Sequence, residues 1–131
     1  MATALVGAIL SSGGRILLGL RHPDRRSFPH CWDIIGGHLE SGEAPRDALD
    51  RELQEEIGVS ADDAVPLASI HFEDSSGTAF HLEIFLVTMW TGTPAIRDRE
   101  HSELRWFNPA IAASIPNLAL PHYRDIFASL A

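Results

Sequence analysis

The sequence predicts an α/β (α+β) layered sandwich, a mixed β-sheet flanked by helices. Six apolar strand-like runs recur along the chain, near 4–10, 15–21, 32–35, 65–73, 79–90 and 103–107. An amphipathic helical stretch near 45–57 interrupts them, and a second near 121–130 closes the chain. Strands mixed with helices, and only a few residues between some strands, suit sheet and helices packed in layers.

Each element has a local reason. The first two runs flank Ser11-Ser12-Gly13-Gly14, a hairpin signal. His22-Pro23-Asp24-Arg25-Arg26 is charged and Pro29 interrupts any regular element, so 22–31 is read as loop. Trp32 to Ile35 is a short strand running into Gly36-Gly37. Pro45 suits the first helical turn and Gly58 the position just past the end. Ala44 is a poor cap, which leaves Glu43 or Ser41 to satisfy the first amides. Leu49, Leu53 and Ile57, at i, i+4 and i+8, mark the buried stripe. The two long strands near 65–73 and 79–90 turn around Asp74-Ser75-Ser76-Gly77. The strand near 103–107 runs into Asn108-Pro109, and Pro121 heads the last helix.

Composition narrows the function. The 131 residues suit one domain, 1–131, able to bury its own core. No apolar run approaches the roughly 20 residues that span a bilayer, so no membrane partner is expected. The run Ala4–Leu10 has no basic segment before it and reads as a buried strand, not a signal peptide. Cys31 is the only cysteine, which fits a reducing, cytoplasmic setting. The formal charge of −8 argues against a nucleic acid polymer. It is compatible with a small phosphorylated substrate if a divalent cation reverses the local sign.

The segment Gly37 to Val59, GHLESGEAPRDALDRELQEEIGV, carries the chemistry. At about 100° per residue, Glu52, Glu55 and Glu56 fall within an arc of roughly 100° on one helix face. Carboxylates so placed repel one another unless a cation sits among them. All-oxygen ligands suit a hard ion such as Mg²⁺ or Mn²⁺. Arg51 lies four residues before Glu55 and is placed to orient a carboxylate. Gly36 and Gly37 let backbone approach metal or phosphate with no Cβ in the way. Glu43 precedes the helix and can brace the loop against it. An isolated Glu-Glu pair is usually a solvated acidic face; the register of all these residues together argues otherwise.

In that register, Gly37, Glu43, Arg51, Glu52, Leu53, Glu55, Glu56, Gly58 and Val59 fill every defining position of the Nudix box, which the segment resembles. A chance match is on the order of one in ten million, at one in fifteen to twenty per fixed residue. The resemblance implies a Nudix hydrolase that cleaves a nucleoside diphosphate linked to a group X by attack of water at phosphorus. It implies Mg²⁺, with Mn²⁺ able to substitute, held by Glu52, Glu55, Glu56 and Gly37, with Glu56 or an outside carboxylate as base. Relatives often bring another Glu from before the late Trp. Glu100, in the charged run Arg97-Asp98-Arg99-Glu100-His101, is preferred to Glu103 for that role and is expected in a flexible loop that closes over substrate.

Other residues carry weaker signals. Arg21, Arg25 and Arg26 precede the box and can meet substrate phosphates, or simply form an exposed basic loop. Phe28, Trp32 and Phe80 are candidates to stack on a base, although aromatic residues in strands more often belong to the core. His71 and His81 are read as sheet residues, His38 as a loop hydrogen-bonder, Cys31 as an inert thiol and Trp106-Phe107 as packing. The tail resembles small MutT-like members, which implies (deoxy)nucleoside triphosphates as substrates, split to monophosphate and pyrophosphate. ADP-ribose, nucleotide sugars and dinucleoside polyphosphates are alternatives within the same reaction. Against an oxidised-guanine specialist, no Asn opens the last helix, which reads Leu120-Pro121-His122-Tyr123, and no Pro precedes Gly36-Gly37. A non-catalytic nucleotide sensor would be expected to lose box glutamates, and none is lost. A related isopentenyl diphosphate isomerase would need a catalytic Cys in that family's pattern. Dimers are frequent among relatives, so a homodimer is compatible with the resemblance.

Overall fold

A computed structural model describes residues 2–131. The chain runs β1 (Thr3–Ser12), β2 (Arg15–Arg21), β3 (Trp32–Asp33), β4 (Ile35–His38), α1 (Pro45–Ile57), β5 (Ser60–Ala61), β6 (Val65–Glu73), β7 (Ala79–Val87), β8 (Trp90–Thr91), β9 (His101–Phe107), α2 (Pro109–Ala112) and α3 (Tyr123–Ser129). The β1–β2 hairpin turns on Gly13 and Gly14 at φ +58° and +76°, a left-handed pair that glycine adopts without penalty. β1 is central: it lies parallel to β7 and antiparallel to β4, and β7 continues antiparallel into β6. β2 pairs antiparallel with β9 along its length and with β3 near its end. The sheet is therefore mixed and the helices flank it, as the sequence predicts.

The period-2 alternation of β1 divides the interior. Val6, Ala8 and Leu10 join the α1 residues Leu49, Leu53 and Ile57 in one core. Ile9 joins Ile16, Leu82, Ile84, Tyr123 and Phe127 in the other. The three helix residues are fully buried, each adding about 1.5–3 kcal/mol of apolar burial. They fix the rotation of α1 and hence the direction of its glutamates.

The elements depart from the sequence reading at several points, among them the start of β9 at His101, two residues before the expected 103. The strand expected at 32–35 is two strands, because Trp32 and Asp33 pair with β2 while Ile35 to His38 pair with β1. The strand expected to reach residue 90 stops at Val87, where the Asp63 carboxylate accepts hydrogen bonds from the Thr88 amide and hydroxyl and turns the chain. Asn108 caps a short helix, α2, by accepting the Ala110 amide at 2.9 Å, with Pro109 in the first turn. The final helix begins at Tyr123 because Pro121 and His122 form a preceding turn, with the Tyr123 amide donating to the Leu120 carbonyl. No side chain caps α1 at Ala44; Glu43 is engaged elsewhere. Among the described residues no helix is long and apolar enough to cross a membrane.

Candidate active site

The site is assembled where β4, α1 and the segment before β9 converge. Gly36 and Gly37 belong to β4, against β1. A Cβ on Gly36 would overlap the Val6 carbonyl oxygen and lie 2.7 Å from the Gly7 Cα. A Cβ on Gly37 would lie 2.6 Å from the carboxyl carbon of Glu52. The first glycine lets strands β4 and β1 close; the second lets Glu52 rest its carboxylate on the strand.

Arg51 organises the mouth of the site. Its Nε donates to Glu43 Oε2 and its Nη2 to Glu43 Oε1, both at 2.9 Å. Nη2 also donates to the His38 carbonyl at 2.9 Å, and Nη1 to Glu52 Oε1 at 3.0 Å and Glu55 Oε2 at 3.3 Å. Glu43 Oε1 further accepts the Glu40 amide at 2.9 Å. The bidentate guanidinium, then the Glu40 amide, pull the Glu43 carboxyl down to about 2. Glu43 thus braces the loop against the helix through Arg51.

The three helix glutamates are not equivalent. The Glu55 side chain is 59% exposed, while Glu52 is largely covered and Glu56 is 2% exposed. Of the three, Glu56 is carried into the interior together with the Leu49–Leu53–Ile57 stripe. It sits one residue before Ile57, and the chain after β8 folds over it: the Ala95 amide donates to the Ile57 carbonyl and the Arg97 amide to the Glu56 carbonyl. Gly58, left-handed at φ 72°, ends the helix by donating to the Leu53 carbonyl. Both carboxylate oxygens of Glu56 are buried. Burial, then a proton shared toward the adjacent Glu100 carboxylate, then the charges of Glu100, Glu52 and Asp98, push the Glu56 carboxyl far above the ordinary carboxylate range. Glu100 is thus its one partner, while no nitrogen donor reaches it among the described residues. Burial also raises Glu52, against the lowering effect of Arg51.

Glu100 already stands at this cluster. One ligand atom each from Glu56, Asp98, Glu100 and His101 lies within 4.8 Å of the others. The Glu100 carboxylate is 3.3 Å from Arg25, and its carbonyl accepts the His22 amide. The segment before Glu100 is tied to the end of α1 through the Arg97 amide, and Glu100 stands beside Glu56. Glu103 faces away, its carboxylate accepting from Arg105 Nε at 2.9 Å.

A cleft opens from the cluster. Its walls include Gly36, Gly37, His38, Arg21 and Arg25, with Phe28, Phe72 and Phe80 on its apolar side. Trp32 is not among them: it is buried, edge-on to Phe107 with ring centroids 5.0 Å apart. Arg21 faces inward, donating to the Ser27 carbonyl and lying 3.5 Å from Asp33. Asp33 and Tyr123 line the cleft too, joined by a 2.6 Å hydrogen bond from the phenol, and burial raises the Asp33 carboxyl. Sequence reasoning missed Asp33, Asp98, His101 and Tyr123. Only Asp33 left a signal, a charge between Trp32 and Ile34 in a strand leading into the glycines.

The acidic set fits a hard divalent cation. Buried carboxylate oxygens that no nitrogen donor reaches need a positive partner, and Glu52, Glu56 and Glu100 offer oxygen donors.

The chain is 37% identical over 112 residues to the CTP pyrophosphohydrolase of Escherichia coli (strain K12), covering 86% of this chain and 80% of that protein. It is 42% identical over 84 residues to the 8-oxo-dGTP diphosphatase of Proteus vulgaris, covering 64% and 73%. The crystal structure of the MutT NUDIX hydrolase from Burkholderia pseudomallei superposes with a TM-score of 0.87 at 25% identity, covering 100% of this chain and 99% of that one. Fold, box and relatives together define a hydrolase of phosphoanhydride bonds. The chain belongs to the Nudix family, whose NUDIX domain model matches residues 1–130.

Proposed function

We propose that this Nudix hydrolase splits (deoxy)nucleoside triphosphates to monophosphate and pyrophosphate with Mg²⁺, for which Mn²⁺ can substitute. The observation that carries the reading is the buried Glu56 carboxylate beside Glu100, reached by no positive group, at the wall of a cleft with three phenylalanines. Glu52, Glu56, Glu100 and the Gly37 backbone would hold the cation, with Glu55 joining from the exposed side. When bound, the cation neutralises phosphate charge and makes a water nucleophilic near neutral pH. Arg51 keeps Glu52 and Glu55 aimed, and Arg25 stands in the cleft wall to meet phosphate oxygens. Water adds at one phosphorus of the linkage between the monophosphate and pyrophosphate parts, and the bond from that phosphorus to the bridging oxygen breaks. The bridging oxygen leaves on the other product, and Glu100 takes the water's proton. Phe28 and Phe80 offer faces for the base, and the Asp33 carboxylate offers an acceptor for an exocyclic amine, as cytosine carries.

Purified enzyme with Mg²⁺ is to be tried on triphosphates, ADP-ribose, nucleotide sugars and dinucleoside polyphosphates, with products separated by ion exchange. Release of pyrophosphate and monophosphate from a triphosphate at the highest kcat/KM is expected. A much higher kcat/KM on ADP-ribose or a nucleotide sugar would overturn the substrate class.

A further inference from the structure

Glu56 needs something to hold its carboxylate in place, and its acidic cluster includes the imidazole of His101, while the nearby Arg25 engages Glu100. His101 opens β9, is 5% exposed, and brings Nδ1 to 4.0 Å from Glu56 Oε1 and 3.5 Å from Asp98 Oδ1. That Nδ1 is itself buried without a hydrogen-bond partner, as is Oδ2 of Asp98, and no nitrogen donor reaches either buried oxygen of Glu56. Polar atoms so placed, facing one another across a few ångströms, are costly unless small movements pair them. The ring also has a fitted seat: a Cβ on Gly19 of β2 would lie 2.6 Å from its Cδ2 and 3.1 Å from its Nε2. Asp98 Oδ1 accepts the Glu100 amide at 3.3 Å, so the ring contacts the residue that shapes the Glu100 turn as well.

We propose that His101 is a positioning residue: its Nδ1–H donates to the Glu56 carboxylate and, through Asp98, sets the Glu100 turn, so that both carboxylates are aimed at the cation. The proposal rests on the cation-dependent reading above. Outer partners of this kind, hydrogen-bonded to a ligating carboxylate, typically change metal affinity by about 10–100-fold when removed. The effect of His101 is on how tightly and in what geometry the carboxylates take a cation.

The test is Mn²⁺ binding to nucleotide-free protein, followed by electron paramagnetic resonance, in wild type, His101→Phe, His101→Asn and Gly19→Ala. Phe fills the ring's volume without a donor, Asn returns an N–H near the Nδ1 position, and the alanine methyl pushes an intact ring out of its seat. The expected result is a dissociation constant raised roughly 10–100-fold in His101→Phe, raised in Gly19→Ala, and recovered at least in part in His101→Asn. If His101→Phe does not fold, Gly19→Ala and His101→Asn decide the matter. Wild-type affinity in His101→Phe or Gly19→Ala overturns the proposal, as does an Asn variant as weak as the Phe one. Wild-type protein that binds no Mn²⁺ would instead remove the cation reading on which the proposal rests.

Discussion

Arg51 grips Glu43 with two parallel hydrogen bonds of 2.9 Å across eight residues of chain, joining the loop after β4 to the middle of α1. The Glu43 carboxyl is consequently held at about 2, well below its ordinary value of 4.5. A depressed carboxylate stabilises the fold above its unfolded value and loses that contribution as pH falls through the folded one. The pair should therefore stay intact down to about pH 4 and weaken only toward pH 2. Carbon-detected NMR of the Glu43 carboxyl checks this: the midpoint should rise toward the ordinary value in Arg51→Leu. That variant should also lose about tenfold or more in kcat, because Glu52 and Glu55 lose their orienting partner.

The two adjacent glycines should fail differently. In Gly36→Ala the methyl meets the backbone of Val6 and Gly7, which cannot move without parting β1 from β4. A loss of roughly 1–3 kcal/mol of stability is expected from such overpacking, read as a lower melting temperature. In Gly37→Ala the methyl meets the Glu52 carboxylate, a flexible side-chain end. That variant should fold nearly normally and lose at least about tenfold in kcat. A Gly37→Ala enzyme with full turnover would show that Glu52 is not held by the close approach.

Much of this site was legible because it is local. Glu43, Arg51, Glu52 and Glu56 lie within fourteen residues, and helix periodicity fixes the relative directions of the last three. The Leu49–Leu53–Ile57 stripe was legible for the same reason. What was hidden comes from contacts between distant parts of the chain. The burial of Glu56 depends on residues 95–101 crossing the end of α1, and a periodic pattern carries no trace of that crossing. The Tyr123–Asp33 bond spans 90 positions and the seat of His101 on Gly19 spans most of the chain. The cap of α2, in contrast, was present in Asn108-Pro109 as a local signal.

Burial of Glu56 makes a prediction about stability without metal. Its carboxyl is raised, so it favours the fold while protonated. That contribution is full below the unfolded value near 4.5 and declines as pH rises toward the folded value. Metal-free wild type should therefore melt at lower temperature at pH 8 than at pH 5, and Glu56→Gln should flatten this slope. Added Mg²⁺ should raise the wild-type melting temperature at pH 8 by mass action and leave Glu56→Gln nearly unmoved. The same variant should lose a hundredfold or more in kcat, on the order expected for a missing metal ligand. Near-normal turnover of Glu56→Gln at saturating Mg²⁺ would remove Glu56 from the chemistry.

Glu100 and Glu103 give the last separation, since they lie three residues apart and differ in every contact that matters. Glu100 shares a cluster with Glu56 and is 3.3 Å from Arg25 in the cleft wall. Glu103 accepts from Arg105 on the exposed side of β9, an ion pair of the kind that contributes about 0–1 kcal/mol. Glu100→Gln keeps the shape and removes the negative charge, so the cation loses a ligand and the attacking water loses a proton acceptor. A fall in kcat of about 10²–10⁴ is expected, the range for loss of general base catalysis, with the melting temperature of metal-free protein changed by little. Glu103→Gln should stay within about twofold of wild type in kcat and KM. Rates for both variants across pH 6 to 9 decide between them: if Glu100→Gln retains the wild-type profile, the chemistry belongs to the α1 glutamates alone.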